Sequence, residues 1–141
     1  MRDEWKETDT PMTQKRRGHS CLMLSEYELM VLGGYGGRTL DGRKRTEFLN
    51  SSEIFNLKEK TWNQGPDLET PLTNAQFLKA KPGSKYLAYV IGGYGDGGHS
   101  SAIFGLSQDK NEFKKIGDLK IPRSHHVAFV LPEGIRDKCG D

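Results

Sequence analysis

Apolar residues in this chain occur in short runs of about four to eight residues, which are rich in β-branched and aromatic side chains. Turn-forming segments separate the runs, as at 58–60, 82–84 and 109–111. No stretch shows the period of an amphipathic helix. The pattern therefore predicts an all-β protein. Strands are expected near residues 19–24, 27–33, 52–57, 61–64, 75–80, 86–92, 101–106, 112–116 and 126–131.

An internal repeat orders these strands. Residues 31–36 (VLGGYG) recur 59 positions later at 90–95 as VIGGYG, and residues 51–55 (SSEIF) recur 49 positions later at 100–104 as SSAIF. Because the second separation is ten residues shorter, the first copy carries an insertion between its two motifs. We expect that insertion to be a loop.

A basic segment precedes the repeat and returns after it. Residues 16–19 (RRGH) recur at 123–126 (RSHH), 107 positions or two periods later. We call such a segment a lead, because it enters the first strand of a repeat. Each period of about 50 residues then holds four strands, which is typical of one blade of a β-propeller.

These residues resemble the kelch repeat, which has a Gly-Gly doublet ending the second strand, an aromatic residue in the third and a Trp in the fourth. The matching positions are Gly33, Gly34, Phe55 and Trp62 in the first copy and Gly92, Gly93, Phe104 and Phe113 in the second. The lead at 16–19 is also typical of the family, whereas its middle counterpart at 72–75 (LTNA) departs from it. Trp5 matches the fourth-strand Trp of a preceding blade.

The resemblance implies a kelch-type β-propeller segment with four-stranded antiparallel blades and an incomplete ring. The expected divisions are residues 1–18, the last strand of a preceding blade with a loop; 19–68, blade 1; 69–118, blade 2; and 119–141, the first strand of a following blade with a tail. Propellers close with about four to eight blades. The chain is thus expected to be a fragment of a longer protein, a segment that self-associates to complete the ring, or a marginally stable product.

Composition and motifs argue against several function classes. A net charge of +2 over 141 residues gives no bulk electrostatic case for nucleic-acid or membrane binding. Cys21 and Cys139 have neither metal-site nor disulfide-scaffold spacing, so we expect free thiols, with Cys21 packed in a strand. The four histidines match no zinc pattern. The glycine-rich segments lack the flanks of phosphate or dinucleotide loops, and no catalytic motif is present. We expect no metal, no cofactor and no catalytic residue.

The loops carry the functional hypothesis. In a propeller blade, the connections from second to third strand and from one blade to the next emerge on the same face. Those connections hold a set of cations that we predict to bind a partner such as an acidic peptide: Arg16, Arg17, Arg38, Arg43, Lys44, Arg45 and Arg123. The alternative is that they are ordinary solvated loop charges.

Kelch propellers are generally protein-interaction modules, including ubiquitin-ligase substrate receptors and actin-associated scaffolds. The resemblance therefore implies a non-catalytic protein-binding role, with a kelch-propeller enzyme fragment (oxidase or lyase) as the rival hypothesis. We expect a cytoplasmic location, or a secreted one if an upstream signal peptide is missing. The sequon at Asn50 would matter only in the second case.

Overall fold

The computed structural model of the protein describes residues 9–40 and 43–131. Within these residues it contains β-strands and no helix, which confirms the all-β prediction. No membrane-spanning helix is found in this part of the chain. The strands are β1 (Arg16–Arg17), β2 (Ser20–Met23), β3 (Glu28–Leu32), β4 (Tyr35–Leu40), β5 (Arg43–Phe48), β6 (Ser52–Asn56), β7 (Thr61–Gln64), β8 (Gln76–Lys79), β9 (Ala88–Ile91), β10 (Tyr94–Gly95), β11 (Gly98–His99), β12 (Ala102–Leu106) and β13 (Phe113–Asp118).

Two four-stranded antiparallel sheets form the body of the protein, as predicted. The first, blade 1, has the order β2-β3-β6-β7, and the second, blade 2, has the order β8-β9-β12-β13. Each is a meander in which consecutive strands of the repeat pair. A β-bulge between Ile103 and Phe104 shifts the register of the last pair in blade 2.

The turn between the third and fourth strands contains one residue with left-handed backbone in each blade. The side-chain oxygen of Asn56 accepts hydrogen bonds from the backbone N–H groups of Lys58 and Glu59 in blade 1. Lys60 in blade 1 and Lys110 in blade 2 adopt left-handed backbone, with φ of 54° and 62°, although Lys60 directly precedes its fourth strand and Lys110 does not. A residue in this region reverses the chain tightly, so the fourth strand returns directly along the third.

The hydrophobic core lies between the blades. Because side chains alternate along a strand, one face of blade 1 presents Met30 and Leu32 to blade 2, and the facing side of blade 2 presents Val90 and Phe104. Phe104 is only 1% exposed, and burying a ring of this size contributes about 2–3 kcal/mol. Leu68, in the connection between the blades, joins the same cluster.

The expected loop in the first copy is a β-hairpin, so that expectation was wrong. Residues 35–40 and 43–48 pair as β4 and β5, and β1 pairs with the other edge of β4 to give a three-stranded sheet of order β1-β4-β5. The segment is polar and has no apolar alternation, so its sequence pattern did not indicate strands. The second copy has a much shorter equivalent, β10 paired with β11.

The strand expected near 126–131 is absent from the structure. These residues form no strand, and in the described part of the chain none pairs with them. Val127 and Phe129 are consequently 83% and 74% exposed. An apolar run becomes a strand only where a neighbour accepts its backbone hydrogen bonds. Trp5 and Cys139 lie outside the described residues.

Cys21 is exposed, contrary to the expectation that it packs within a strand. It lies on β2, on the opposite face from Leu22, which packs against the core between the blades. The sequence placed Cys21 in the correct strand, but strand position alone does not say whether another layer covers each face.

Candidate partner-binding surface

The glycine doublets hold the connections of each blade together. Gly33 and Gly92 have φ of 63° and 62°, and a Cβ on either would collide with the backbone of the next lead, at Leu72 or Arg123. The second glycine of each doublet donates its N–H to the same carbonyl group, at 2.8 Å in blade 1 and 2.9 Å in blade 2. Only glycine combines this backbone with so close an approach.

The leads also bond to one another. Gly18, Asn74 and His125 occupy the same place in three successive leads, and all three have left-handed backbone. The N–H of Asn74 donates to the carbonyl of Gly18 at 2.8 Å, and the N–H of His125 donates to the carbonyl of Asn74 at 3.1 Å. This chain of bonds fixes the leads side by side at the inner strands of the blades.

Leads and second-to-third-strand connections meet on one side of the molecule, which we call the upper surface (residues 15–18, 35–40, 43–48, 71–74, 94–99 and 123–125). The lead strand β1 pairs with β4 of the hairpin. Thr73, in the middle lead, forms a β-bridge with Tyr94. These pairings turn segments that are distant in sequence into one continuous surface.

A row of aromatic rings crosses the upper surface. The ring centroids of Tyr35 and Phe48 are 5.2 Å apart, those of Phe48 and Tyr94 are 5.8 Å apart, and those of Tyr94 and His99 are 5.3 Å apart. All three contacts are edge-to-face, an arrangement that aromatic pairs favour. Tyr94 is 39% exposed, so the row offers aromatic surface to a partner. We call these four residues the aromatic row.

Charged and polar groups flank the aromatic row. The guanidinium of Arg17 lies over the Tyr35 ring, 5.0 Å from its centroid, a cation–π contact. A cavity of about 310 Å³ opens beside it, lined in part by Lys15, Arg17 and Thr46. At the other end of the row, the imidazole of His99 hydrogen-bonds the Ser124 hydroxyl at 3.1 Å.

Arg16 does not belong to this exposed surface, although the sequence predicted it to bind a partner. Its side chain is 0% exposed, and its guanidinium forms an ion pair with Glu53 at 2.8 Å. It also donates to the carbonyl groups of Gly33 and Ser51 at 2.8 and 2.9 Å. These buried bonds hold the lead against blade 1, so Arg16 has a structural role.

Glu53 is a buried carboxylate with several donors. Burial alone would raise its pKa, but the hydrogen bonds from Arg16, Thr13 and Gln14 outweigh burial and hold the pKa below the usual glutamate value. Both the N–H and the hydroxyl of Thr13 donate to the carboxylate, at 2.7 and 2.8 Å. The residues before β1 are thereby fastened across blade 1.

A protein-family model for the kelch motif matches residues 16–69. Residues 16–69 thus contain a kelch motif. The match begins at the buried arginine of the first lead and extends through blade 1 into the connection that follows it. Blade 2 repeats the kelch strand order and the doublet geometry of blade 1.

The kelch landmark aromatics lie on the equivalent face of the two blades, which in blade 1 is opposite to Met30 and in blade 2 is the face that meets blade 1. Phe55 and Trp62 form a half-buried pair with centroids 4.9 Å apart, and the Trp62 indole N–H donates to the carbonyl of Thr10 at 2.9 Å. In blade 2, Phe104 and Phe113 are buried in the core between the blades. All of them provide packing surface for a neighbouring layer.

The other predicted binding residues are only partly described. Arg38 lies on β4, and Arg43, Lys44 and Arg45 lie on β5, which places their backbone on the hairpin of the upper surface; their side chains lie outside the described part of the structure. Arg123 is exposed, and its Nε donates to the carbonyl of Ile121 at 3.3 Å.

A second cavity, of about 400 Å³, lies at the inner strands and is lined by residues that include His19, His125 and His126. Burial lowers the pKa of His19 and of His126, and the charges of nearby arginines lower both further. Among the described residues, no group of three or more metal-binding side chains is placed to hold an ion.

Sequence reasoning missed the aromatic row. One signal was available, because Tyr35 and Tyr94 both follow a glycine doublet directly. A second was the Asp41-Gly42 dipeptide, which is typical of two-residue hairpin turns and would have predicted that the insertion is a hairpin.

Proposed function

We propose that this protein, which contains a kelch motif, is a non-catalytic interaction module whose upper surface binds an acidic segment of a protein partner. Kelch repeats commonly mediate protein–protein interaction. The observation that carries the proposal is the contact between Arg17 and the aromatic row. Arginine and aromatic side chains are the residues most enriched among those that dominate binding at protein interfaces.

The chemistry of the surface favours carboxylates. A guanidinium can bind a carboxylate through two parallel hydrogen bonds, and the lysine at position 15 adds a second cation beside the same cavity. Tyr94 and the rest of the aromatic row supply rigid apolar area at low entropic cost. Together they suit a segment with acidic residues next to an apolar one.

Acidic groups limit the positive potential. Glu47 on β5 and Asp96 in the turn after β10 are both exposed, and the pairing of Arg16 with Glu53 removes one cation from the surface. The segments that form the upper surface still carry more Lys and Arg than Asp and Glu. The preference for acidic ligands therefore rests on a few placed cations, and individual substitutions should reveal it.

A peptide-binding assay tests the proposal. We expect a fluorescein-labelled peptide that alternates glutamate with serine and tyrosine to bind the wild-type chain in fluorescence anisotropy, with affinity falling as salt is added. Arg17→Ala should weaken binding about 5- to 10-fold, because the side chain supplies both the carboxylate contact and the support of Tyr35. Tyr94→Ala should have a similar effect.

Lys58→Ala is the matched control. Lys58 lies in the turn between β6 and β7, outside the upper surface, and also makes a cation–π contact, 3.7 Å above the Tyr27 ring. It should leave peptide affinity unchanged. Equal binding of a peptide with glutamine in place of glutamate, or an equal loss in the Lys58 variant, would contradict the proposed surface.

A further inference from the structure

Thr46 directly follows three consecutive basic residues, Arg43, Lys44 and Arg45. Many protein kinases select their acceptor by the charge pattern around it. We propose that Thr46 is a phosphorylation site for a kinase that prefers basic residues before the acceptor, and that its phosphate occupies the cavity shared with Lys15 and Arg17.

The fold presents Thr46 in a form that an enzyme can reach. The residue lies on β5, at the edge of the sheet β1-β4-β5, and its side chain lines an open cavity. In the described residues, β5 pairs on one side only, with β4. An edge strand keeps its backbone extended and leaves one row of hydrogen-bonding groups open, which is how extended peptides engage a binding cleft.

Ser20 is the competing acceptor by sequence, because residues 15–17 (KRR) precede it closely. The structure disfavours it. Ser20 lies in β2, half-buried, and its hydroxyl donates a hydrogen bond of 2.6 Å to the carbonyl of Ala75 in blade 2. Phosphorylation there would require blade 2 to separate from the first strand of blade 1. Thr46 requires no such opening.

The surroundings of Thr46 suit a phosphate. Thr46 is paired with Gly37, which has no side chain to fill the space in front of it. The resulting cavity of about 310 Å³ is also lined by Lys15, Arg17 and Tyr35. The Tyr35 hydroxyl already donates to the Thr46 hydroxyl oxygen at 2.9 Å, and it can donate to a phosphate oxygen instead. Two cations and one hydroxyl donor therefore face the position that the phosphate would take.

The reaction is an ordinary phosphoryl transfer from ATP. A bond forms between the Thr46 Oγ1 and the γ-phosphorus, and the bond from that phosphorus to the β,γ-bridging oxygen breaks. ADP leaves, and the hydroxyl proton passes to the base of the kinase. The product carries about −1.5 to −2 charge near neutral pH.

The regulatory consequence rests on the proposed function. A phosphate beside Lys15 and Arg17 would occupy the groups that are proposed to bind carboxylates. It would therefore weaken binding of the acidic partner. Phosphorylation and acidic-peptide binding are measured separately, and either can fail without the other.

The test uses the full chain, ATP and the catalytic subunit of cyclic-AMP-dependent protein kinase as the basophilic probe. We expect one phosphate per chain at Thr46 by peptide mapping. Thr46→Val, which keeps a β-branched residue in the strand, should reduce incorporation at least tenfold, whereas Ser20→Ala should not reduce it. Mapping of the phosphate to Ser20, or absence of incorporation at Thr46, would overturn the site.

A phosphorus NMR titration tests the phosphate cavity. The second pKa of phosphothreonine 46 should be lower by about 0.5 or more than in a phosphopeptide of residues 40–50, because nearby cations favour the dianion. Lys15→Ala should move it back toward the peptide value, and Lys58→Ala should not. Equal pKa values in the folded chain and the peptide would overturn the proposed cavity.

Discussion

Blade 1 and blade 2 use different residues to pack the lead against the third strand. The lead that enters blade 1 carries Arg16, which pairs with Glu53 on the third strand. The lead that enters blade 2 has Leu72 at the equivalent position, and the third strand has Phe104 at the register position of Glu53. Leu72 and Phe104 are 3% and 1% exposed, and both belong to the core cluster. An ion pair in one blade is matched by two apolar residues in the other.

The two blades share the glycine doublet but differ in the pair between the lead and the third strand. Both blades keep the glycine doublet with nearly identical φ values, at Gly33 and at Gly92. The pair between lead and third strand changes from charged to apolar without changing the strand order. Buried ion pairs are often replaceable by apolar residues, provided that both partners change together.

The largest loss in the free energy of unfolding should come from a substitution in the glycine doublet, which both blades share. Gly33→Ala would force a Cβ into the Leu72 carbonyl and a side chain onto left-handed backbone, so it should lower the free energy of unfolding by about 4 kcal/mol or more. Urea denaturation measures this. Gly83→Ala is the matched control, because Gly83 has φ of 80° and a Cβ at that position would meet no atom within 4 Å, so it should cost only about 1 kcal/mol. Similar losses in the two variants would contradict the close approach of lead and doublet.

Substitutions in the Arg16–Glu53 pair should cause the next largest loss in the free energy of unfolding. Arg16→Leu should cost about 3 kcal/mol, since Glu53 keeps its burial and loses its cation. Adding Glu53→Ala removes the unpaired carboxylate and makes the pair apolar, as it is in blade 2, so it should recover most of that loss in the same denaturation assay. A double variant no more stable than the single one would mean that the two blades are not interchangeable at this position.

Acidification gives an independent measurement of the same pair. The pKa of Glu53 is lower in the folded protein than its usual value of 4.5. A depressed carboxyl pKa stabilises the fold above the unfolded-state pKa, and that stabilisation disappears as pH falls through the folded-state pKa. The free energy of unfolding should therefore fall more steeply below about pH 4.5 in the wild type than in the double variant.

Much of the fold could be predicted from local pattern. The doublet motif VLGGYG and its repeat marked the ends of β3 and β9, and alternating or apolar runs marked most strands of both blades. The hairpin β4–β5 was missed because Gly36, Gly37 and a run of basic residues give it no apolar alternation. The expected strand at 126–131 had the apolar pattern without a neighbour to pair with.

The candidate surface was harder to predict, because its members come together only in the fold. Arg16 and Arg17 are adjacent in a basic segment, yet one is buried and the other lies over Tyr35. What separates them is Glu53, 37 positions after Arg16 and on the same face of blade 1. No local pattern connects those two residues. The aromatic row likewise joins residues from two blades.

The smallest change in the free energy of unfolding should come from an exposed ion pair between the blades. The Lys110 ammonium lies 2.7 Å from the Glu28 carboxylate, with both side chains about 30% exposed. Its hydrogen bond is the main reason that the pKa of Glu28 is lowered. A double-mutant cycle with Glu28→Gln and Lys110→Met should give a coupling of only about 0.5 kcal/mol, because water solvates both charges well when they separate. The coupling should nearly vanish in about 1 M NaCl, where screening is strong.

A coupling above about 2 kcal/mol that salt does not change would show that this pair behaves like the buried Arg16–Glu53 pair. The contrast between a replaceable buried pair and a weak exposed one would then no longer hold.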